Sequence, residues 1–226
     1  MIKYMAAFVA ATIVVAAPSY GAAREVLVSA AFQTTDKRVA LARIDQALAL
    51  TRQRLAADPD NYEALMQKAA ATGYRGKLTR NLGDAKEARR EFEALARINP
   101  RDPEIHLLLA GWHLDAIADV GSFLAGAVVG ARGSSGLAAL DRAVALGRGR
   151  AFFSGFAAMM RIRLDPRDIA CARALAEAAL NDETPTVLDR IARRDAELLL
   201  VPLRASDGKA AAALARRLLP FGTLAH

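Results

Sequence analysis

The sequence predicts an all-α fold: a single domain of stacked antiparallel helical hairpins behind an N-terminal signal peptide. Three observations carry that expectation. Asp58-Pro59 and Asn99-Pro100 recur forty-one residues apart, and the second runs into Arg101-Asp102-Pro103-Glu104, a helix stop followed at once by a helix start. Alanine and leucine recur at helical spacing, β-branched runs are scarce, and no convincing alternating strand pattern occurs. The Pro, Gly, Asp, Ser and Thr residues that interrupt the pattern stand where helix caps and stops belong.

The N-terminus comes first because it has to be set aside before the fold is read. Lys3 supplies a basic head, residues 6–17 are apolar except for Thr12, and Pro18 is followed by small residues suited to a peptidase. Twelve apolar residues fall short of the about 20 that a membrane-spanning helix needs. Residues 1–23 are therefore read as a signal peptide cleaved after Gly21 or Ala23. The alternative reading is an uncleaved anchor or a buried helix. The expected address is periplasmic or secreted, with no transmembrane span in the mature form. Residues 24–36 are then an N-terminal extension, 37–220 a helical domain of stacked hairpins, and 221–226 a C-terminal tail.

Within the domain the first helix is expected over 37–57, with Leu41, Ile44, Leu48 and Leu55 on one stripe, and Asp58-Pro59 ends it. A second follows over 62–74, loosened by Gly73, Gly76 and Gly83. Asp84 and Glu87 have the spacing of a capping box for a third helix over 85–98. Asp102 caps the fourth, over 104–120, with Pro103 at its first position, where a missing amide hydrogen costs nothing. This stretch is apolar on most of its circumference and reads as the central helix. The apolar, glycine-rich stretch 121–133 is expected to pack closely against it, a mobile loop and a docking surface being the alternatives. Further helices are expected over 136–146, 150–164, 169–181, 185–205 and 209–219, capped by Asp168, Thr184 and Ser206 or Asp207.

Residues Ala88, Phe92, Leu95 and Pro100 have the spacing of the second helix of a tetratricopeptide repeat, which this segment resembles. Ala69 and Ala110, each ten residues after a proline, match the small residue where helices of that family cross closely. The likeness covers about 58–146 and departs from the family period of 34 by about seven residues, placed around Gly73 to Gly83. In address and architecture the chain is also similar to the periplasmic T-component proteins of TRAP transporters. These resemblances imply a binding body and no catalytic centre.

The net charge of +7 comes largely from scattered arginines. The pairs Arg89-Arg90, Arg193-Arg194 and Arg216-Arg217 lack interleaved aromatics, so they read as solvated faces and nucleic acid is not expected as a partner. Cys171 is the only cysteine, which excludes an internal disulfide, and its small apolar neighbours suggest a buried inert thiol. His106 and His113 lie seven apart, so the paired-histidine zinc spacing is absent and neither metal nor cofactor is expected. No phosphate loop or nucleophile elbow occurs, and three histidines and one cysteine do not assemble a catalytic set.

One cluster stands out. Trp112, His113, Asp115 and Asp119 lie on the fourth helix beside Phe123 and Arg132 of the glycine-rich stretch, and together they are the candidate partner-binding residues. A core tryptophan with carboxylates paired to Arg132 or other arginines is the competing reading. Arg193, Arg194 and Asp195 interrupt an apolar stripe of Leu188, Ile191, Leu198 and Val201, either as an internal ion pair or as an exposed break. The expected function is an exported, non-catalytic binding or scaffold protein that engages a protein or peptide in the cell envelope. The alternative is a ligand-handling accessory of a solute transporter, with an apolar cavity lined by Phe123, Leu124 and Val128.

Overall fold

The computed structural model describes residues 21–224, and these are all-α, with eleven helices and no strand among them. The predicted signal segment lies outside the described residues except for 21–23. The helices are α1 (Ala22–Phe32), α2 (Lys37–Ala57), α3 (Tyr62–Thr79), α4 (Leu82–Ile98), α5 (Pro103–Val120) and α6 (Ser122–Val129). After these come α7 (Gly133–Leu146), α8 (Ala151–Leu164), α9 (Ile169–Asn181), α10 (Val187–Arg204) and α11 (Gly208–Leu218).

Several boundaries differ from the sequence reading, each for a local reason. Residues 24–36 are largely helical: α1 buries Leu27, Ala30 and Ala31 against α2 and α3. Helix α3 continues through Gly73 and Gly76 to Thr79, because α4 crosses it there. A Cβ on Gly76 would come within 2.9 Å of the Ala85 amide nitrogen. Asn81, not Asp84, caps α4, accepting from the Gly83 and Asp84 amides at 2.8 and 3.1 Å. Asp84 is turned instead toward Arg75, which donates to it at 2.7 and 2.9 Å. Thr186, not Thr184, caps α10, in a reciprocal capping box with Asp189. Asp168 makes no cap bond and accepts from Arg161 at 3.1 Å.

Alanine dominates the crossings. Ala40, Ala47, Ala69, Ala88, Ala110, Ala143, Ala157, Ala176, Ala192 and Ala215 are all fully buried. Helices pack in order, α1 on α2, α3 on α4, α5 on α7, and α8 on α9 and α10, with α11 returning onto α8. Phe32 belongs to the packing of both halves and meets Phe156 edge to face at 5.7 Å. Residues past α11 are also tied in. The Phe221 amide donates to the Ala31 carbonyl at 2.8 Å, its ring meets Tyr74 at 4.9 Å, and Leu224 is buried.

Helix α8 is buried nearly all round, and Gly155 is where α10 comes closest. A Cβ there would stand 2.8 Å from the Ala192 carbonyl oxygen and 3.0 Å from its Cβ. Gly155→Val is therefore expected to destabilise the fold by about 1–3 kcal/mol through overpacking, measured by urea titration.

Candidate functional site

The candidate cluster on α5 is brought together, but most of it faces other helices. Trp112 is half-buried, and its indole Nε1–H donates to the Ala85 carbonyl of α4 at 2.8 Å. The Arg89 guanidinium lies 5.6 Å from its ring centroid. Asp115 accepts from Lys77 of α3 at 2.6 Å and from Arg163 of α8, which also pairs with Asp119. These side chains join α3, α4, α5 and α8. The carboxylates pair with Lys77 and Arg163 and not with Arg132. Burial works to raise the Asp115 carboxyl, but the Lys77 and Arg163 charges outweigh it and hold the group below the usual carboxylate range.

His113 is buried, and its Nδ1 accepts the Arg132 backbone N–H at 3.1 Å. Burial, and after it the Arg89 charge, push the imidazole below its ordinary value. The ring is therefore neutral near pH 7, with its proton on Nε2. Together with Arg89, Glu93, Gly130, Arg132 and Ser135 it lines a polar cleft of about 380 Å³. Arg89 is fixed within this wall: it donates to the Val129 and Gly130 carbonyls at 3.1 and 3.2 Å, and its Nε lies 3.4 Å from Glu93. The Arg132 side chain is exposed and has no ion-pair partner among the described residues.

The glycine-rich stretch is the short helix α6, and close packing over its whole surface is not what the structure has. Gly121 at φ 82° and Gly130 at φ 76° turn the chain at its two ends, conformations that suit glycine. Within α6 only Ala125 is buried, and Ala131 is buried in the turn that follows. Phe123 is 83 % exposed, and Leu124, Val128 and the preceding Val120 are exposed as well. The expected closed apolar cavity lined by Phe123, Leu124 and Val128 is therefore not formed.

Elsewhere the polar groups are absorbed in packing. Asp189 is fully buried and accepts from the Phe152 amide at 3.0 Å, Arg150 at 2.8 Å and the Thr186 hydroxyl at 2.6 Å. Asp195 is fully buried beside Arg194, and burial pushes its carboxyl up despite that partner. The predicted stripe on α10 is rotated. Ala192, Ala196, Leu199 and Leu203 face inward, whereas Leu198 and Val201 are exposed with Val187. Arg89 and Arg193 are not solvated faces, since Arg193 donates to the Asp182 carbonyl. His106 Nε2 lies 3.0 Å from the Pro100 carbonyl oxygen. Cys171 is half-buried on α9. Among the described residues no three His, Cys, Asp or Glu side chains converge, and no single helix is long and apolar enough to cross a membrane.

No family model, no curated protein and no solved structure matches this chain.

The sequence reading did not single out Lys77 and Arg163. Two carboxylates four residues apart ask for a cation, but the chain offers 31 lysines and arginines, and spacing alone does not select among them. The depressed Asp115 pKa favours the folded state above about pH 4 and loses that contribution as pH falls through the folded value. Asp115→Asn is expected to cost about 2 kcal/mol near neutral pH, the loss of a hydrogen-bonded charge. The gap to the wild type should close below about pH 4, as followed by chemical denaturation across pH.

Proposed function

We propose that this chain is an exported, non-catalytic binding and scaffold protein of the cell envelope, built as a tetratricopeptide-like stack of antiparallel hairpins. The pairings α1/α2, α3/α4, α5/α7, α8/α9 and α10/α11 support this reading, with α6 inserted into the third pair. In such a stack the first helices of the pairs line an inner face, and here that side is filled by the chain itself. Arg24 of α1 reaches Glu63 of α3 and Glu104 of α5, Phe32 meets Phe156 of α8, and the tail returns to Ala31. A partner is therefore received on an outer surface.

The observation that carries the reading is the outward face of α10, the first helix of the last pair. Val187, Leu198 and Val201 are exposed there, Val201 at 71 %, and Arg190 and Arg194 share the same helical arc. A stack normally ends in a polar capping face. An apolar stripe beside Arg190, which has no ion-pair partner among the described residues, suits instead an amphipathic helix of a protein partner bearing a carboxylate. The transporter-accessory reading is less well supported, because the side chains expected to line its cavity face outward.

A photoreactive residue at position 187, on the same face, is expected to cross-link a protein in intact envelopes, and Leu198→Glu with Val201→Glu should abolish the adduct. The melting temperature should hold, since exposed substitutions stay within about 0.5 kcal/mol. Adducts that survive the double variant would contradict the assignment.

A further inference from the structure

We propose a second, separate docking surface: α6 and the cleft beside it bind an anionic lipid surface, with α6 in the acyl boundary and a head-group phosphodiester in the cleft. The apolar side of this face is unusual for a chain whose other large apolar side chains are mostly inside. Val120, Phe123, Leu124 and Val128 stand exposed on and beside a helix with no charged residue, held out between two glycine turns. Leu82 of α4, 50 % exposed, precedes Arg89 by seven residues and so lies on the same side of α4. Helix α7, which continues the apolar sequence, is spent on the core through Leu140 and Ala143, so α6 alone is free to enter a lipid layer. A single short helix of this kind lies in the interface and does not span it.

Charge complementarity selects lipid as the occupant. Arg132 at the end of α6 is exposed and unpaired, and Lys86, one turn before Arg89 on α4, is likewise exposed without an ion-pair partner among the described residues. Inside the cleft Arg89 is offset by Glu93, which leaves the Arg132 charge uncompensated. One net positive charge matches the single negative charge of a phosphodiester. The His113 Nε2–H and the Ser135 hydroxyl supply donors in the same wall, because Arg132 has already taken Nδ1. The nearby acid Asp119 is neutralised by Arg163. An apolar tip flanked by two unpaired cations, Arg132 and Lys86, can bind an anionic membrane through burial and surface potential together.

The test uses the full chain and vesicles of phosphatidylcholine, alone or mixed with phosphatidylglycerol. The protein is purified from the envelope, every variant in the same form, so differences between variants report on this face. Wild type is expected to float with the mixed vesicles and to be released by salt. Lys86→Gln and Arg132→Gln should each weaken that binding roughly fivefold, and Phe123→Ser roughly tenfold, with melting unchanged. Fluorescence of Trp112, the only tryptophan and a neighbour of Arg89, should respond to mixed vesicles and not to neutral ones. Leu198→Glu with Val201→Glu should leave vesicle binding intact, which separates this surface from the α10 face. Equal binding to neutral and mixed vesicles, or flotation indifferent to Phe123→Ser, would overturn the proposal.

Discussion

Close approach of helices across alanine and glycine is the constraint on which this structure rests. Ala69, Ala88, Ala110, Ala157, Ala192 and Ala215 are each without solvent exposure, and no strand or disulfide among the described residues shares the work. A methyl group at a crossing lets backbones come near enough for larger side chains to interlock around it. Phe153, Ile105 and Leu140 are buried in this way among alanines. The same economy explains where the large apolar side chains are missing from the core. Helix α6 contributes one alanine to the interior and turns its larger residues outward.

The polar groups within the body act as ties between helices that are distant in sequence. Arg24 spans α1, α3 and α5, Asp115 spans α3, α5 and α8, and Asp189 holds the start of α8 to the start of α10. Such groups bring little net stability when fully paired, yet removing one partner leaves a charge stranded. They therefore fix how the helices are arranged more than how strongly they cohere. The two outer surfaces depend on that arrangement, because the cleft beside α6 is assembled from α4, α5, α7 and the α6–α7 turn.

Most of the helical framework was legible in the sequence because it is written in local terms. Asp102-Pro103 starts α5, Asp58-Pro59 ends α2, and Asn99-Pro100 ends α4, each through chemistry confined to a few neighbouring residues. What was misread depends on contacts made at a distance. Gly76 looks like a helix breaker until α4 is seen against it, and Asp84 looks like a cap until Arg75 is seen to take it. On α10 the buried side runs through Ala192, Ala196, Leu199 and Leu203, so a stripe continued through Leu198 and Val201 points the wrong way. Of the candidate site, Trp112, Asp115 and Asp119 make ties within the body, and His113 lines the cleft. Phe123 and Arg132 face outward with no such tie among the described residues, whereas the exposed Asp119 is held by Arg163.

The central claim is tested most directly by enlarging the crossing alanines. In Ala110→Leu the added carbons have no space, and a loss of about 2 kcal/mol is expected. For a chain of this size that corresponds to a melting temperature lower by about 6 °C. Ala213→Leu, at an exposed position on α11, serves as the control and should melt with the wild type. Equal melting of wild type, Ala110→Leu and Ala213→Leu would contradict the account.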